Sequence, residues 1–146
     1  MISIIAVTHN TFAQGLDKKD DGKYYKDDQL FTGTHKDYFD DGSLKSERTF
    51  DLGLENGISN YYFKGNKKKE QRVYKNGFKD GTWLTWNIDG QKTAEAHYVK
   101  DLKHGKWMIF DDSGKQRYEM HYNKGKKTGN WYMWDENGEL SSKKNY

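Results

Sequence analysis

A 24-residue repeat constrains the fold of this chain more than any other feature. A glycine opens each unit and an aromatic residue closes it, both at intervals of 24 residues. The glycines are Gly33, Gly57, Gly81, Gly105 and Gly129, and the closing residues are Phe50, Tyr74, Tyr98, Tyr122 and Tyr146. Such a fixed period predicts a repeat array. The units are 33–56, 57–80, 81–104, 105–128 and 129–146, with no insertion or deletion between them.

Turn residues within each unit predict a β-hairpin. The dipeptides Asp41-Gly42, Asp89-Gly90, Ser113-Gly114 and Asn137-Gly138 favour type I′ turns, which need positive φ at both central residues. The flanking segments are rich in aromatic residues, Thr and Val, which are typical of strands. The chain has no proline, in keeping with an uninterrupted ladder. We therefore expect an all-β fold of about five hairpins, forming a single curved antiparallel meander sheet of about ten strands.

A two-residue turn would sort the side chains of each hairpin onto two faces. In unit 81–104, one face would carry Trp83, Thr85, Lys92, Ala94, Ala96 and Tyr98, and the other Leu84, Trp86, Thr93, Glu95 and His97. Both faces carry an aromatic column, which indicates one sheet without a second layer. We assign a structural role to the repeated glycines, to Trp83, Trp107 and Trp131, and to Tyr74, Tyr98 and Tyr122. We assign partner binding to Tyr38, Tyr62, Trp86, Phe110, Trp134, Glu95 and Glu119.

Composition narrows the classes of partner. The chain is 33% hydrophobic and 32% charged, so its aromatic residues, 16% of the total, must supply most of the burial. The net charge of +3 comes from interspersed acidic and basic residues, which excludes a nucleic-acid footprint. There is no cysteine, and hence no disulfide or thiolate metal site.

The N-terminal segment resembles an export signal. A short apolar stretch precedes Thr11-Phe12-Ala13, a small-x-small pattern of the kind that signal peptidase cleaves. We expect residues 1–13 to be a signal peptide, with the mature chain beginning near Gln14 and a lead-in strand or cap over 14–32. The protein would then be exported, to a periplasm or outside the cell. The alternative is an apolar N-terminal strand in a cytoplasmic protein.

The repeated pattern G-x-W-x-x-W/F/Y, D/N-G, E, Y and G-x-x-x-G resembles the bacterial variant of the MORN repeat over residues 33–146. Proteins built from this repeat are commonly labelled as antitoxins of the YwqK type. The resemblance implies a protein–protein interaction, and some arrays of the family are linked to membranes. In the first two units, His35 and Ser59 occupy the column that holds tryptophan in the others.

No catalytic or metal site is expected. His97 and His121 share a column, but equivalent positions of successive hairpins lie about 10 Å apart, too far for a shared metal ion. Glu47, Glu95 and Glu119 recur from unit to unit, which favours pairing with nearby Lys or Arg over catalysis. No Ser-His-Asp set or phosphate-binding loop is indicated. We expect neither an enzyme nor a cofactor.

Two functions remain open from the sequence. The first is a protein-interaction module, antitoxin-like or an exported scaffold, since extended repeat surfaces suit that use. The second is carbohydrate or cell-wall binding, because "GNWYMWDENGEL" resembles the aromatic repeats that hold ligands between adjacent hairpins. In either case we expect a monomer, and the residues themselves give no support for membrane contact.

Overall fold

The computed structural model describes residues 15–146, and within them it contains strands and turns but no helix. The expected signal peptide lies outside the described residues. The strands are β1 (Asp17–Lys18), β2 (Tyr24–Lys26), β3 (Gln29–Leu30), β4 (Gly33–Tyr38), β5 (Leu44–Asp51), β6 (Leu54–Glu55), β7 (Gly57–Phe63), β8 (Lys67–Lys75), β9 (Phe78–Lys79), β10 (Gly81–Trp86), β11 (Lys92–Val99), β12 (Leu102–Lys103), β13 (Gly105–Phe110), β14 (Gln116–Asn123), β15 (Lys126–Lys127), β16 (Asn130–Trp134) and β17 (Leu140–Asn145).

The predicted meander is confirmed. Ten strands follow one another across a single antiparallel sheet in the order β17-β16-β14-β13-β11-β10-β8-β7-β5-β4. The two-residue strands β6, β9, β12 and β15 pair at the joints, meaning the segments that connect one unit to the next. Strands β1 to β3 form a separate small sheet, which bonds to the first joint through Tyr24 N–H and the carbonyl of Gly53. No helix of residues 15–146 could span a membrane.

Pairing is extensive within a hairpin and short between hairpins. Strands β10 and β11 form six residue pairs, from Gly81↔Tyr98 to Trp86↔Lys92. Strands β11 and β13 of successive units form only two, Ala94↔Ile109 and Glu95↔Met108. These two pairs lie toward the hairpin loops. Successive hairpins therefore separate toward their joints, where the main ladder does not hold them together.

The prediction of type I′ turns is wrong at all four dipeptides, because Asp41, Asp89, Ser113 and Asn137 are not among the residues of positive φ. In the third hairpin loop, Gly90 donates to the carbonyl of Asn87 and Asn87 donates to that of Gln91. Gly90 has a φ of +85°, whereas Asp89 is not among the residues of positive φ. This is a type I turn followed by a left-handed glycine, the common three-residue hairpin loop. The side chain of Asn87 also stabilises this loop, because its Oδ1 accepts from the N–H groups of Asp89 and Gln91.

The type I′ turns lie instead at the joints. At the joints, strands separated by two residues are connected by pairs with positive φ at both positions, namely Leu52-Gly53, Asn76-Gly77, Lys100-Asp101 and Lys124-Gly125. Asp27-Asp28 connects β2 and β3 in the same way. The repeated opening glycines also have positive φ, as at Gly81 with +95°. Each joint thus reverses the chain as tightly as a two-residue turn allows.

The longer hairpin loop also corrects one face assignment. A register shift between Thr85 and Trp86 leaves Thr93 as the extra residue and pairs Lys92 with Trp86. Lys92 therefore lies on the face of Trp86 and not, as predicted, on that of Trp83. We call the side that bears Trp83, Trp107 and Trp131 the spine face, and the other side the second face.

The sheet has almost no enclosed core. Among the described hydrophobic residues only Phe50 is buried, and most strand residues of both faces are half-buried. Conventional packing between two layers therefore contributes little, and contacts between neighbouring side chains on one surface must hold the hairpins together.

Leu52 tests the turn assignment. It has a φ of +46°, a left-handed conformation costly for leucine, and its side chain is largely exposed. We expect Leu52→Asn to raise the free energy of unfolding by about 0.5–1 kcal/mol, because asparagine tolerates this conformation. Urea denaturation measures the change. Ile88→Asn is the matched control, since Ile88 is also exposed but lies in a hairpin loop without positive φ. Equal effects of the two substitutions would contradict the assignment.

Candidate functional site

A continuous ladder of seven aromatic rings runs along the spine face. Adjacent ring centroids are 4.6 to 5.4 Å apart and the rings are tilted against one another. This ladder, which we call the spine, consists of Tyr74, Trp83, Tyr98, Trp107, Tyr122, Trp131 and Tyr146. Tilted pairs at such distances gain energy beyond the burial of their area. The spine links units where the backbone ladder does not.

The spine tryptophans also hydrogen-bond the preceding unit. Trp83 Nε1 donates to the carbonyl of Val73 at 3.0 Å. Trp107 Nε1 donates to that of His97 at 3.0 Å, and Trp131 Nε1 to that of His121 at 3.1 Å. These carbonyls lie where successive hairpins have separated. Each carbonyl also accepts from a backbone N–H of the joint, that of Asp80, His104 or Thr128, so the indole is its second donor. The indole thus fills the opening and adds a hydrogen bond between units, which explains why this column uses tryptophan.

Lysines of the joints cover the spine. Lys79 Nζ lies 4.9 and 5.1 Å from the rings of Trp83 and Tyr98. Lys103 and Lys127 repeat this arrangement on the next two ring pairs, at 4.3 to 4.9 Å. Such cation–π contacts stabilise the rings while keeping the ammonium group in water. The sequence prediction missed these lysines because it treated the joints only as turns, although their spacing of 24 residues was visible.

The spine stops in the first two units, where His35 and Ser59 replace tryptophan. A network of charged side chains occupies this region instead. Asp37 accepts from Ser46 Oγ at 2.6 Å and from Arg48 at 3.3 Å, and it lies 3.1 Å from His35 Nε2.

The second unit continues the network with Arg72, which donates to Glu70 Oε2 at 2.6 Å and lies over the ring of Tyr61. Burial raises the pKa of Tyr61 to about 12, so its phenol stays protonated at neutral pH. The opposite charges neutralise one another, which leaves a structural network without a free nucleophile or base.

The predicted binding residues all lie on the second face. One aromatic residue per hairpin stands in a row that crosses the sheet, with one residue from each returning strand between consecutive rings. The rings are those of Tyr38, Tyr62, Trp86, Phe110 and Trp134. Tyr38 is 59% exposed and the other four are half-buried. They form a row of separate rings rather than a stacked ladder.

The ammonium groups of two lysines lie over rings of this row. Lys68 Nζ lies 5.4 Å from the Trp86 ring and Lys92 Nζ lies 5.0 Å from the Phe110 ring. A groove of about 380 Å³ opens beside Trp86, between Lys67, Lys68, Asp89 and Gly90. Aromatic surface and cationic groups are therefore adjacent and accessible at this point of the second face.

The glutamates of the second face are paired with basic side chains. Glu95 accepts from Lys92 Nζ at 2.7 Å and Glu119 lies 3.9 Å from Lys106 Nζ. The hydrogen bond from Lys92 holds the pKa of Glu95 below its usual range. Glu47 similarly pairs with Lys36 at 3.0 Å. These pairs recur from unit to unit, which gives no acid–base asymmetry of the kind catalysis uses.

His97 and His121 lie beside two of these glutamates. His97 Nε2 lies 3.3 Å from Glu95 and His121 Nε2 lies 3.7 Å from Glu119. Each Nδ1 has a separate partner, Thr82 Oγ1 for His97 and the carbonyl of Asn130 for His121. Within residues 15–146, no group of three or more His, Cys, Asp or Glu side chains could hold a metal ion.

These features define a repeat protein of single-sheet β-hairpins that exposes two chemically different faces. Three segments of the chain, residues 31–51, 103–124 and 127–146, match the family model described as the MORN repeat variant. The recognition of this repeat from the sequence is thereby confirmed, whereas the antitoxin subtype stays a prediction. MORN repeats are in general non-catalytic modules that bind proteins or membranes. No curated protein sequence matches the chain.

Trp107 tests the role of the spine. Trp107→Ala removes two ring contacts and one hydrogen bond, so we expect a loss of about 3–5 kcal/mol in the free energy of unfolding. Trp107→Phe keeps a ring in place but removes the indole donor, and we expect a loss of about 1–2 kcal/mol. Chemical denaturation followed by circular dichroism measures both.

Trp86→Ala is the comparison on the second face, because the Trp86 ring is not part of the spine. We expect it to destabilise the protein less than Trp107→Ala does. If the two alanine variants lose the same free energy, both aromatic columns hold the fold and the distinction between the faces is wrong.

Proposed function

We propose that the protein is a non-catalytic module that binds a protein partner through the second face. The observation that carries this proposal is the row of partly exposed rings, each beside lysine or glutamate side chains, on successive hairpins of a sheet without a second layer. Protein interfaces combine aromatic anchors with a polar surround in this way. An extended, repeated surface also suits a partner that spans several units.

Carbohydrate binding, the second candidate from the sequence, has weaker support. Sugars stack on aromatic rings through an open ring face, and here Lys68 and Lys92 lie over the rings of Trp86 and Phe110. A stacked sugar would have to displace these ammonium groups or use the far side of each ring. A protein partner can instead contact the ring edges and pair with the lysines and glutamates.

An antitoxin and an exported scaffold are two specific forms of this function. An antitoxin would bind a toxin in the cytoplasm, and an exported scaffold would meet its partner after cleavage near Gln14. Intact-mass analysis of the protein from its native cells separates the two, because export removes residues 1–13 and an antitoxin retains Met1.

The binding surface is tested by Trp86→Ala and Trp134→Ala. Each variant is used as bait against extracts of the native cells, and each partner that the wild-type protein retains is then titrated. We expect each substitution to weaken binding by at least about 1 kcal/mol, roughly fivefold, as removal of an interface anchor does. Phe78→Ala is the matched control, because Phe78 is an exposed aromatic residue of a joint.

A glycan array probed with the same proteins decides between the candidates. Binding to a glycan that is lost in Trp86→Ala would favour the carbohydrate function. Retention of every protein partner by Trp86→Ala and Trp134→Ala would contradict the proposed surface.

A further inference from the structure

The spine face of the last three units is a largely apolar surface on which no second layer packs within residues 15–146, and Lys79, Lys103 and Lys127 cover only its spine rings. On the last strand, Lys144 pairs with Trp131 and forms a charged edge of this face. The fourteen residues of the five preceding strands that lie on it are uncharged: Gly81, Trp83, Thr85, Ala94, Ala96, Tyr98, Gly105, Trp107, Ile109, Tyr118, Met120, Tyr122, Trp131 and Met133. Ile109, Tyr118 and Met133 stand side by side and are 40%, 41% and 36% exposed. A contiguous apolar patch with a polar border is typical of an interaction surface.

The sequence repeat indicates that Ile109 and Met133 are not required for folding. The column of Ile109 and Met133 reads Asp37, Tyr61, Thr85, Ile109 and Met133 along the five units, so it lacks the regularity of the spine columns. Its first two members belong to the charged network of units one and two. The apolar character is therefore confined to units three to five.

The borders of this apolar surface carry opposite charges. The joint segments 75–80, 99–104 and 123–128 contain seven lysines and two aspartates, a formal charge of +5. The hairpin loops 87–91, 111–115 and 135–139 contain six carboxylates and one lysine, a formal charge of −5. The loops of the first two units, 39–43 and 63–67, contain two aspartates and two lysines and have no net charge. The basic joints and acidic hairpin loops therefore belong to the same units as the apolar surface.

We propose that the spine face of units three to five binds a second copy of this chain, in a two-fold symmetric dimer. The two-fold axis runs across the strands, so each unit faces the same unit of the other copy with its strands reversed. This arrangement brings the basic joints of one copy over the acidic loops of the other, and apolar residues over apolar residues. A two-fold axis along the strands would instead bring like charges together.

The size of the surface is that of a weak, concentration-dependent dimer. Five strands about 4.8 Å apart and six residues long cover roughly 24 by 20 Å. Two such faces bury roughly 1,000 Å² in total, at the lower limit for a specific interface. The monomer expected from the sequence would then be the form at low concentration. The dimer leaves the second face of both copies exposed, so it would present two sets of the proposed partner-binding rows.

Charge exchange between two variants tests this dimer. Lys124→Glu with Lys126→Glu makes a joint acidic, and Asp112→Lys with Glu136→Lys makes two loops basic. The four side chains are exposed and make no hydrogen bond or ion pair within residues 15–146, so neither variant should lose stability. Sedimentation equilibrium measures the association of each variant, and of their 1:1 mixture, up to roughly 100 µM, where a micromolar dimer is populated.

We expect the wild-type protein to dimerise, each variant alone to associate at least tenfold more weakly, and the mixture to recover association. Recovery is expected because the acidic joint of one variant faces the basic loops of the other. The proposal is overturned if the wild-type protein stays monomeric over this range, which would leave the surface to another partner. It is also overturned if either variant associates as the wild type does or the mixture gives no recovery. Circular dichroism melts of both variants exclude misfolding as the cause.

Discussion

The contact between each spine indole and the preceding hairpin is the interaction on which the rest of the structure depends. Successive hairpins share only two residue pairs in the main ladder and separate toward their joints. The separation opens a gap in the sheet beside a backbone carbonyl that has one joint N–H as donor and room for a second. The indole of Trp83, Trp107 or Trp131 fills the gap, donates to the carbonyl and contacts a tyrosine on either side. No smaller aromatic side chain does all three.

This way of holding units together explains how residues 15–146, with one buried hydrophobic residue among them, can form an ordered sheet. Burial is spread along a line of rings, with lysines over their free surfaces, instead of being concentrated between two layers. Within residues 33–146, the strands of each unit pair only with those of the same or an adjacent unit, which makes the stability a sum of local contributions. It also leaves both faces of the sheet accessible, and the two faces differ in chemistry because only one of them carries the spine.

The sequence predicted the strands, their order and the two faces, because period and turn residues together fix a meander. It did not predict the turns correctly. Asp89-Gly90 fits both a type I′ turn and a longer loop with a left-handed glycine, and only the capping side chain of Asn87, three residues before the glycine, distinguishes the two. The one extra residue per loop then moved Lys92 to the other face.

The candidate sites were predictable to different degrees. The columns that repeat, such as Trp86 and Glu95, are visible in the sequence as columns. The apolar surface around Ile109 and Tyr118 is not, because its residues vary from unit to unit and become adjacent only through the pairing of strands. Likewise, Lys103 gains its place over Trp107 from the geometry of a joint whose turn residues, Lys100 and Asp101, lack glycine.

Hydrogen exchange of the five indole N–H groups, followed by nuclear magnetic resonance, tests the central role of the spine most directly. The indoles of Trp83, Trp107 and Trp131 donate to backbone carbonyls, whereas within residues 15–146 those of Trp86 and Trp134 have no such acceptor. We expect three indole protons to be protected to the same extent as the backbone amides of neighbouring strands, and two to exchange as fast as free indole. Equal exchange of all five protons would contradict the account, because the spine indoles would then not be hydrogen-bonded between units.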